Sequence, residues 1–265
     1  MESTPITFGF NEKVDSLDFV VSSKALDSVE FDFIRGDSSL SVMLQPPFAS
    51  HDSITINFSY LEDKAGLSTV DIAYTYTTPI LGDYDFDSKI TYNDLWDLVE
   101  NWEMKNFNYE LGPVSGQVPH FISIPDSKFD IEDGMAFVQI WSWYQKEYGQ
   151  IVEDTVMIGK PLNIAQLGNE LSIFIDDSIA SGQIQFSNNH IDSRLRFSTK
   201  SYDGAMYLSH QNPEKGYSIL EFARPKSMAK DTIHVTADEE SKLKIYYKFY
   251  GRDKKEIQRG HTSFK

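Results

Sequence analysis

Three aspartates set two residues apart, Asp83, Asp85 and Asp87, open the segment Gly82-Asp83-Tyr84-Asp85-Phe86-Asp87-Ser88-Lys89-Ile90-Thr91-Tyr92-Asn93-Asp94. Counted from Asp83, oxygen-bearing side chains fall at places one, three, five, nine (Thr91) and twelve (Asp94). That is the spacing with which a short loop wraps a hard divalent cation, and calcium is the ion that takes about six to eight such oxygens. Lys89, at the seventh place, would contribute only its backbone carbonyl, leaving its ammonium free to point outward. An acidic turn without an ion is the plainer alternative. Apolar Ile90 at the eighth place and a helix-like run from Thr91 favour calcium.

The pattern has an echo. Asp126-Ser127-Lys128-Phe129-Asp130-Ile131-Glu132-Asp133 lies in step with Asp87-Ser88-Lys89-Ile90-Thr91-Tyr92-Asn93-Asp94. The match puts Asp126 at the fifth place, the Lys128 carbonyl at the seventh, Asp130 at the ninth and Asp133 at the twelfth. Counting back along the chain puts the first and third places on Ile122 and Ile124, which carry no side-chain oxygen. Either backbone carbonyls from 121–125 complete that shell, or the second site is weak or empty. Both loops have serine, Ser88 and Ser127, at the sixth place, where calcium loops use glycine for a sharp turn.

Two loop-helix units of this kind resemble dockerin domains, whose halves are EF-hand-like calcium loops each followed by one helix. The resemblance covers residues 82 to about 148. The insert between the halves is longer and richer in proline than is usual there. Two weaker likenesses flank it. Asp63-Lys64-Ala65-Gly66, followed by Tyr74-Thr75-Tyr76-Thr77-Thr78, resembles the closing strands of bacterial Ig-like domains. Leu171–Ile175 followed by Ile179-Ala180-Ser181-Gly182-Gln183-Ile184-Gln185-Phe186 is similar to the start of cohesin-like domains. Together they imply an Ig-like, dockerin-like, cohesin-like run from a secreted or cell-surface bacterial protein. Its partner would be a cohesin-like or dockerin-like domain in the same or another chain.

The elements that must hold these loops can be read from periodicity. Residues 5 to about 80 alternate apolar and polar side chains in short runs, as in Ile54-Thr55-Ile56-Asn57-Phe58, separated by Gly, Asp, Ser and Pro. Such spacing predicts a β-sandwich. From Thr91 the period changes: Leu95, Leu98, Val99 and Trp102 recur at helical steps to about Met104. A second stripe, Phe137, Ile140, Trp141 and Tyr144, predicts a helix from Ile131 to about Tyr148. Between the two, Pro113, Pro119 and Pro125 forbid a continuous helix. From about Ile151 the strand pattern returns, predicting a second sandwich. The fold class expected is therefore mainly β. A sandwich (1–80) and a second sandwich (150–265) are joined by a small helical, calcium-binding segment (81–149).

Composition narrows function. The 265 residues carry a formal net charge of −16. Residues 1–150 hold 25 acids and 8 bases, so the acidity sits at the front. That balance excludes nucleic acid as partner, and no apolar run is long enough for membrane insertion. Cysteine is absent, which removes disulfides, thiolate metal sites and cysteine nucleophiles. His51, His120, His190, His210, His234 and His261 show no metal-ligand spacing, and no Gly-x-Ser-x-Gly elbow, P-loop or dinucleotide fingerprint occurs. The expected function is a non-enzymatic, calcium-stabilised structural or protein-interaction role. The alternative is a carbohydrate-binding accessory region of a polysaccharide-degrading enzyme, with Trp96 or Trp143 stacking on sugar; both lie off their stripes and either pack against a sandwich or face a partner. Trp102 and Trp141 fall on the apolar stripes and are expected in the core. Asp176-Asp177 and Asp238-Glu239-Glu240 are expected to be solvated turns. Met1-Glu2-Ser3-Thr4-Pro5 is no signal peptide. Of a cytoplasmic chain and a piece of an exported one, the expectation is the second, secreted or at the cell surface, since a modest calcium loop needs roughly millimolar metal.

Overall fold

Apolar residues at every second position bury one face of the strands over 39–44, 53–58 and 231–237, and in this computed structural model such faces meet in two separate cores. The structure describes residues 5–150, 156–188, 194–199, 204–224, 230–237 and 243–264. Asp203, His190 and the Asp238–Glu240 run lie outside them, as do Met1–Thr4. The fold is mainly β, and the chain divides into two compact units. One comprises residues 1–81 with 113–124, the other 82–112 with 125–265. The division read from sequence separates the helices from the C-terminal strands; in the structure they share the second unit.

In the first unit, β1 (Ile6–Gly9), β4 (Ser39–Leu44) and β3 (Phe31–Arg35) form one antiparallel sheet. The other joins β2 (Val14–Ser23) to β5 (Ser53–Asp63), with β6 (Ser68–Thr69) and β7 (Ile72–Thr77) also paired to β5. Leu40, Val42 and Leu44 of β4 are buried together with Ile54, Ile56 and Phe58 of β5. The Asp63-Lys64-Ala65-Gly66 turn is closed by its own aspartate, whose Oδ1 accepts the N–H of Ala65 and Leu67 at 2.7 and 2.9 Å. A hairpin of β8 (Val114–Ser115) and β9 (Ile122–Ser123) belongs to this unit. It is seated through Ser50 N–H to Phe121 O, 2.8 Å, and buries Phe121.

The second unit carries α1 (Tyr92–Met104) and α2 (Ile131–Tyr148). Its strands are β10 (Asn163–Leu167), β11 (Glu170–Ile175), β12 (Ser181–Asn188), β13 (Leu195–Ser198), β14 (Met206–Asn212), β15 (Tyr217–Ala223), β16 (Asp231–Ala237), β17 (Leu243–Tyr250) and β18 (Glu256–Phe264). They form a four-stranded sheet, β10-β11-β16-β13, and a five-stranded sheet, β14-β15-β12-β17-β18. Leu171, Ile173 and Ile175 share a core with Ile184, Phe186, Leu220, Phe222, Ile245 and Phe249. β10, β13, β14 and β18 are the outer strands of the two sheets, and β18 is bridged on its free side by Ile158, which exchanges both backbone hydrogen bonds with Arg259 at 2.9 Å.

Every residue of β15 is buried, which one sandwich core cannot explain. Leu220 and Phe222 point into that core, while Tyr217, Ile219 and Glu221 alternate to the other face. There the helices cover the sheet. Trp141 of α2 donates its indole N–H to Glu221 Oε2 at 2.7 Å, and Tyr217 Oη donates to Gln145 O at 2.8 Å. Gln183 of β12 adds a third element to the group, donating to Glu221 Oε1 at 2.7 Å. α1 is tied to the same sheet by Tyr92, which stacks on Tyr250 with ring centres 4.8 Å apart and hydroxyls 2.6 Å apart. Lys254 pairs with Asp97 of α1.

Candidate metal-binding loops

The first loop is organised around Asp83. Its Oδ2 accepts the N–H of Ser88 at 2.9 Å and its Oδ1 that of Asp87 at 3.2 Å, so the chain curls around the first-place carboxylate. Asp85 and Asp87 each take the N–H two residues on, at 3.2 and 2.8 Å. Ser88 makes the sharp turn itself, with φ +64°. Thr91 then caps α1: its Oγ1 accepts the N–H of Asn93 at 3.3 Å, and Asp94 Oδ2 returns to accept the Thr91 N–H at 2.8 Å. Asp94 Oδ1 reaches back across the loop to the Tyr84 N–H, 2.9 Å. One side chain thus closes the loop and caps the helix.

One carboxylate oxygen from each of Asp83, Asp85 and Asp87 lies within 4.8 Å of the others. Asp83 is buried, and burial, with the charges of Asp87 and Asp85 added, pushes its carboxyl above the usual range. Burial raises Asp94 further, to about 7, against the two backbone N–H groups that favour its charged form. Lys89 is the nearest paired cation, 3.8 Å from Asp87 Oδ2, and its side chain is largely exposed. An all-oxygen cluster with unbalanced negative charge suits a hard cation such as Ca2+. Of the six residues predicted for this loop, the structure converges Asp83, Asp85 and Asp87. Lys89 sits at the seventh place, and Thr91 and Asp94 are occupied in the helix cap.

The second loop is built on a residue that the spacing missed. Ser127 N–H donates to Glu110 Oε2 at 3.0 Å, and Asp126 N–H donates to Glu110 Oε1. These repeat the bonds of Ser88 and Asp87 to Asp83. Ser127 repeats the turn as well, with φ +64°. Lys128 N–H to Asp126 Oδ1 matches Lys89 to Asp87, and Asp130 N–H to Asp133 Oδ2 (2.9 Å) matches Thr91 to Asp94. Asp133 Oδ1 accepts the Leu111 N–H at 2.8 Å, as Asp94 Oδ1 accepts that of Tyr84. Glu110 therefore holds the first place, and the expectation of Ile122 and Ile124 at places one and three is corrected. Both belong to the segment 113–124, which interrupts the loop between its third place, Gly112, and its fourth, Pro125. Counting along the sequence fails because the insertion moves the register. Its signal was Tyr109-Glu110-Leu111-Gly112 beside Gly82-Asp83-Tyr84-Asp85, legible only once 113–124 is lifted out.

The second loop's donors differ from the first. Gly112 offers no side-chain oxygen, and Lys128 Nζ sits on Asp126 Oδ2. That ammonium holds the Asp126 carboxyl below the usual range. Asp130 caps α2, accepting the Glu132 N–H at 2.9 Å. Among the described residues, Asp83, Asp85 and Asp87 form a cluster with the geometry to hold a metal ion; Asp126, Asp130 and Asp133 do not join one.

The tryptophans divide otherwise than their stripes predicted. Trp141 is buried, as expected, but so is Trp96, which lies off the stripe. α1 packs both on the 107–109 turn and on β15 and β12, so more than one of its faces is covered. Trp102 is only half-buried, stacked on Phe129 with ring centres 5.6 Å apart. Trp143 is half-buried among Tyr144 and Tyr148. No helix of the described residues is long and apolar enough to cross a membrane.

No protein-family model matches the chain, and no curated protein is similar to it in sequence. Among solved structures, the C-terminal domain of the Streptococcus pyogenes antigen I/II-family protein AspA aligns with 85% of this chain at 11% identity. The alignment spans 58% of that structure's length, with a TM-score of 0.21, too low to carry a fold assignment.

Proposed function

We propose that the chain is a calcium-stabilised, non-enzymatic structural or protein-interaction protein of extracellular setting, and that Ca2+ sits in the loop from Asp83 to Asp94. The observation that carries this reading is the convergence of Asp83, Asp85 and Asp87 within 4.8 Å around a buried first-place carboxylate. The Lys89 carbonyl, Thr91 and Asp94 are the further candidates for the shell. The ion would neutralise charge that otherwise resists closing the loop, and binding to the folded loop alone would add to folding stability. Because Asp94 also caps α1, that stabilisation would pass to the helix lying on the five-stranded sheet.

The resemblance to dockerin and cohesin domains supplies the partner in this reading: a cohesin-like sandwich, either the C-terminal one of the same chain or that of another. Trp96 is buried, which removes one of the two side chains that a sugar-stacking role would use.

Thermal melting of the chelator-treated chain with and without added calcium tests the reading. At a hundredfold excess over Kd, mass action adds about 2.7 kcal/mol, so the wild-type midpoint should rise by several degrees and that of Asp83→Ala should not. An unmoved wild-type midpoint at millimolar calcium overturns it.

A further inference from the structure

We infer that the second loop takes no divalent cation: backbone N–H groups and Lys128 close it instead, so the two loops together bind one ion and not two. The inference rests on the calcium reading of the first loop. A dockerin-like pair implies two ions, and the residues of the second loop do not fit the second one.

The misfit lies at the third place. Asp85 supplies a carboxylate there in the first loop. In the second, a Cβ added at Gly112 would stand 2.7 Å from Glu132 C and 2.8 Å from Asp133 N, both backbone atoms at the start of α2. No side chain, and so no side-chain ligand, can occupy that position without moving the helix. The fifth-place carboxylate, Asp126, already carries the Lys128 ammonium, an internal cation where the first loop holds its lysine 3.8 Å off.

Closure without an ion has a visible cause. Pro113 O accepts the Ile124 N–H at 2.8 Å, and Val114 pairs with Ser123. These pairs close the base of the 113–124 hairpin, which enters the loop between Gly112 and Pro125. Glu110 then collects the N–H groups of Asp126 and Ser127, and Asp133 those of Leu111, Gly112 and Asp130. Most of these bonds repeat those of the first loop; the second adds the Gly112 N–H on Asp133 and the Lys128 ammonium on Asp126, positive charge on carboxylates that a metal would otherwise neutralise.

Calcium stoichiometry of the full chain, measured by calorimetric titration after chelator treatment, decides the matter. The expected count is one in the wild type, one in Glu110→Gln and in Lys128→Ala, and none in Asp83→Asn. Glu110→Gln should melt lower by the same amount with and without calcium. Two ions in the wild type, a residual ion in Asp83→Asn, or loss of the calcium-induced rise in melting temperature in Glu110→Gln would overturn the inference. A wild-type count of zero overturns the first-loop reading instead, and with it the count of one, so the two failures are told apart.

Discussion

Ser127 donates its backbone N–H to Glu110 across seventeen residues of sequence, and does so in the geometry with which Ser88 donates to Asp83 across five. Both serines stand at φ +64°, the left-handed region that suits glycine. A side chain there costs about 1–2 kcal/mol, while glycine loses roughly 0.5–1 kcal/mol more backbone entropy on folding. Ser88→Gly and Ser127→Gly should therefore each stabilise the chain by about 0.5–1 kcal/mol, a net of the two terms. Denaturant midpoints at unchanged slope measure this, and a clear loss in either variant would count against the left-handed turn.

Gly112→Ala should act in the opposite sense. The added methyl meets the backbone of Glu132 and Asp133, which cannot swing aside as a side-chain end can. A cost of about 1–3 kcal/mol is expected, the range for overpacking a tight site. Gly9→Ala, where nothing lies within 4 Å, is the control and should change stability far less.

Glu221 should make stability fall with pH. It is fully buried under α2, and that burial raises its carboxyl to about 8, outweighing the hydrogen bonds from Gln183 and Trp141 that favour the charged form. Its folded pKa lies above the unfolded value, so the contribution is complete below the ordinary carboxylate range and is lost as pH rises through about 8. The loss is on the order of a few kcal/mol. Glu221→Gln should flatten the pH 5 to pH 9 stability profile. An equally steep profile in the variant would assign the slope to other groups.

Trp141→Phe keeps most of the buried ring but removes the N–H donated to Glu221 at 2.7 Å. With one donor lost to a buried carboxylate, about 1–3 kcal/mol should go, more at pH 9 than at pH 5. In a double-mutant cycle with Glu221→Gln the two effects should couple, and additive effects would deny the hydrogen bond an energetic role.

Much of this was legible along the chain. The helix starts at Tyr92 and Ile131 follow from Thr91 and Asp130 as caps, with Asp94 and Asp133 completing each box three residues on. The strands of both sandwiches follow from period-two alternation, because burial of one face is written at every second residue. The stripe left Trp96 open between packing on a sandwich and facing a partner, because a single apolar stripe describes a helix covered on one side, and α1 is covered on more.

What the sequence by itself determined is local: the carboxylate rhythm from Asp83 to Asp94, its echo from Asp126 to Asp133, and the elements that follow each. Those signals act over a turn or two, where spacing along the chain equals spacing in space. The tertiary structure alone decided that Glu110, not Ile122, opens the second loop, that Gly112 leaves no room for a side-chain ligand, and that Glu221 is sealed beneath Trp141. Each depends on chain segments far apart in sequence being brought together, by a loop closed across an insertion or by a helix laid on a sheet. No periodicity carries that information, because the residues involved share no period.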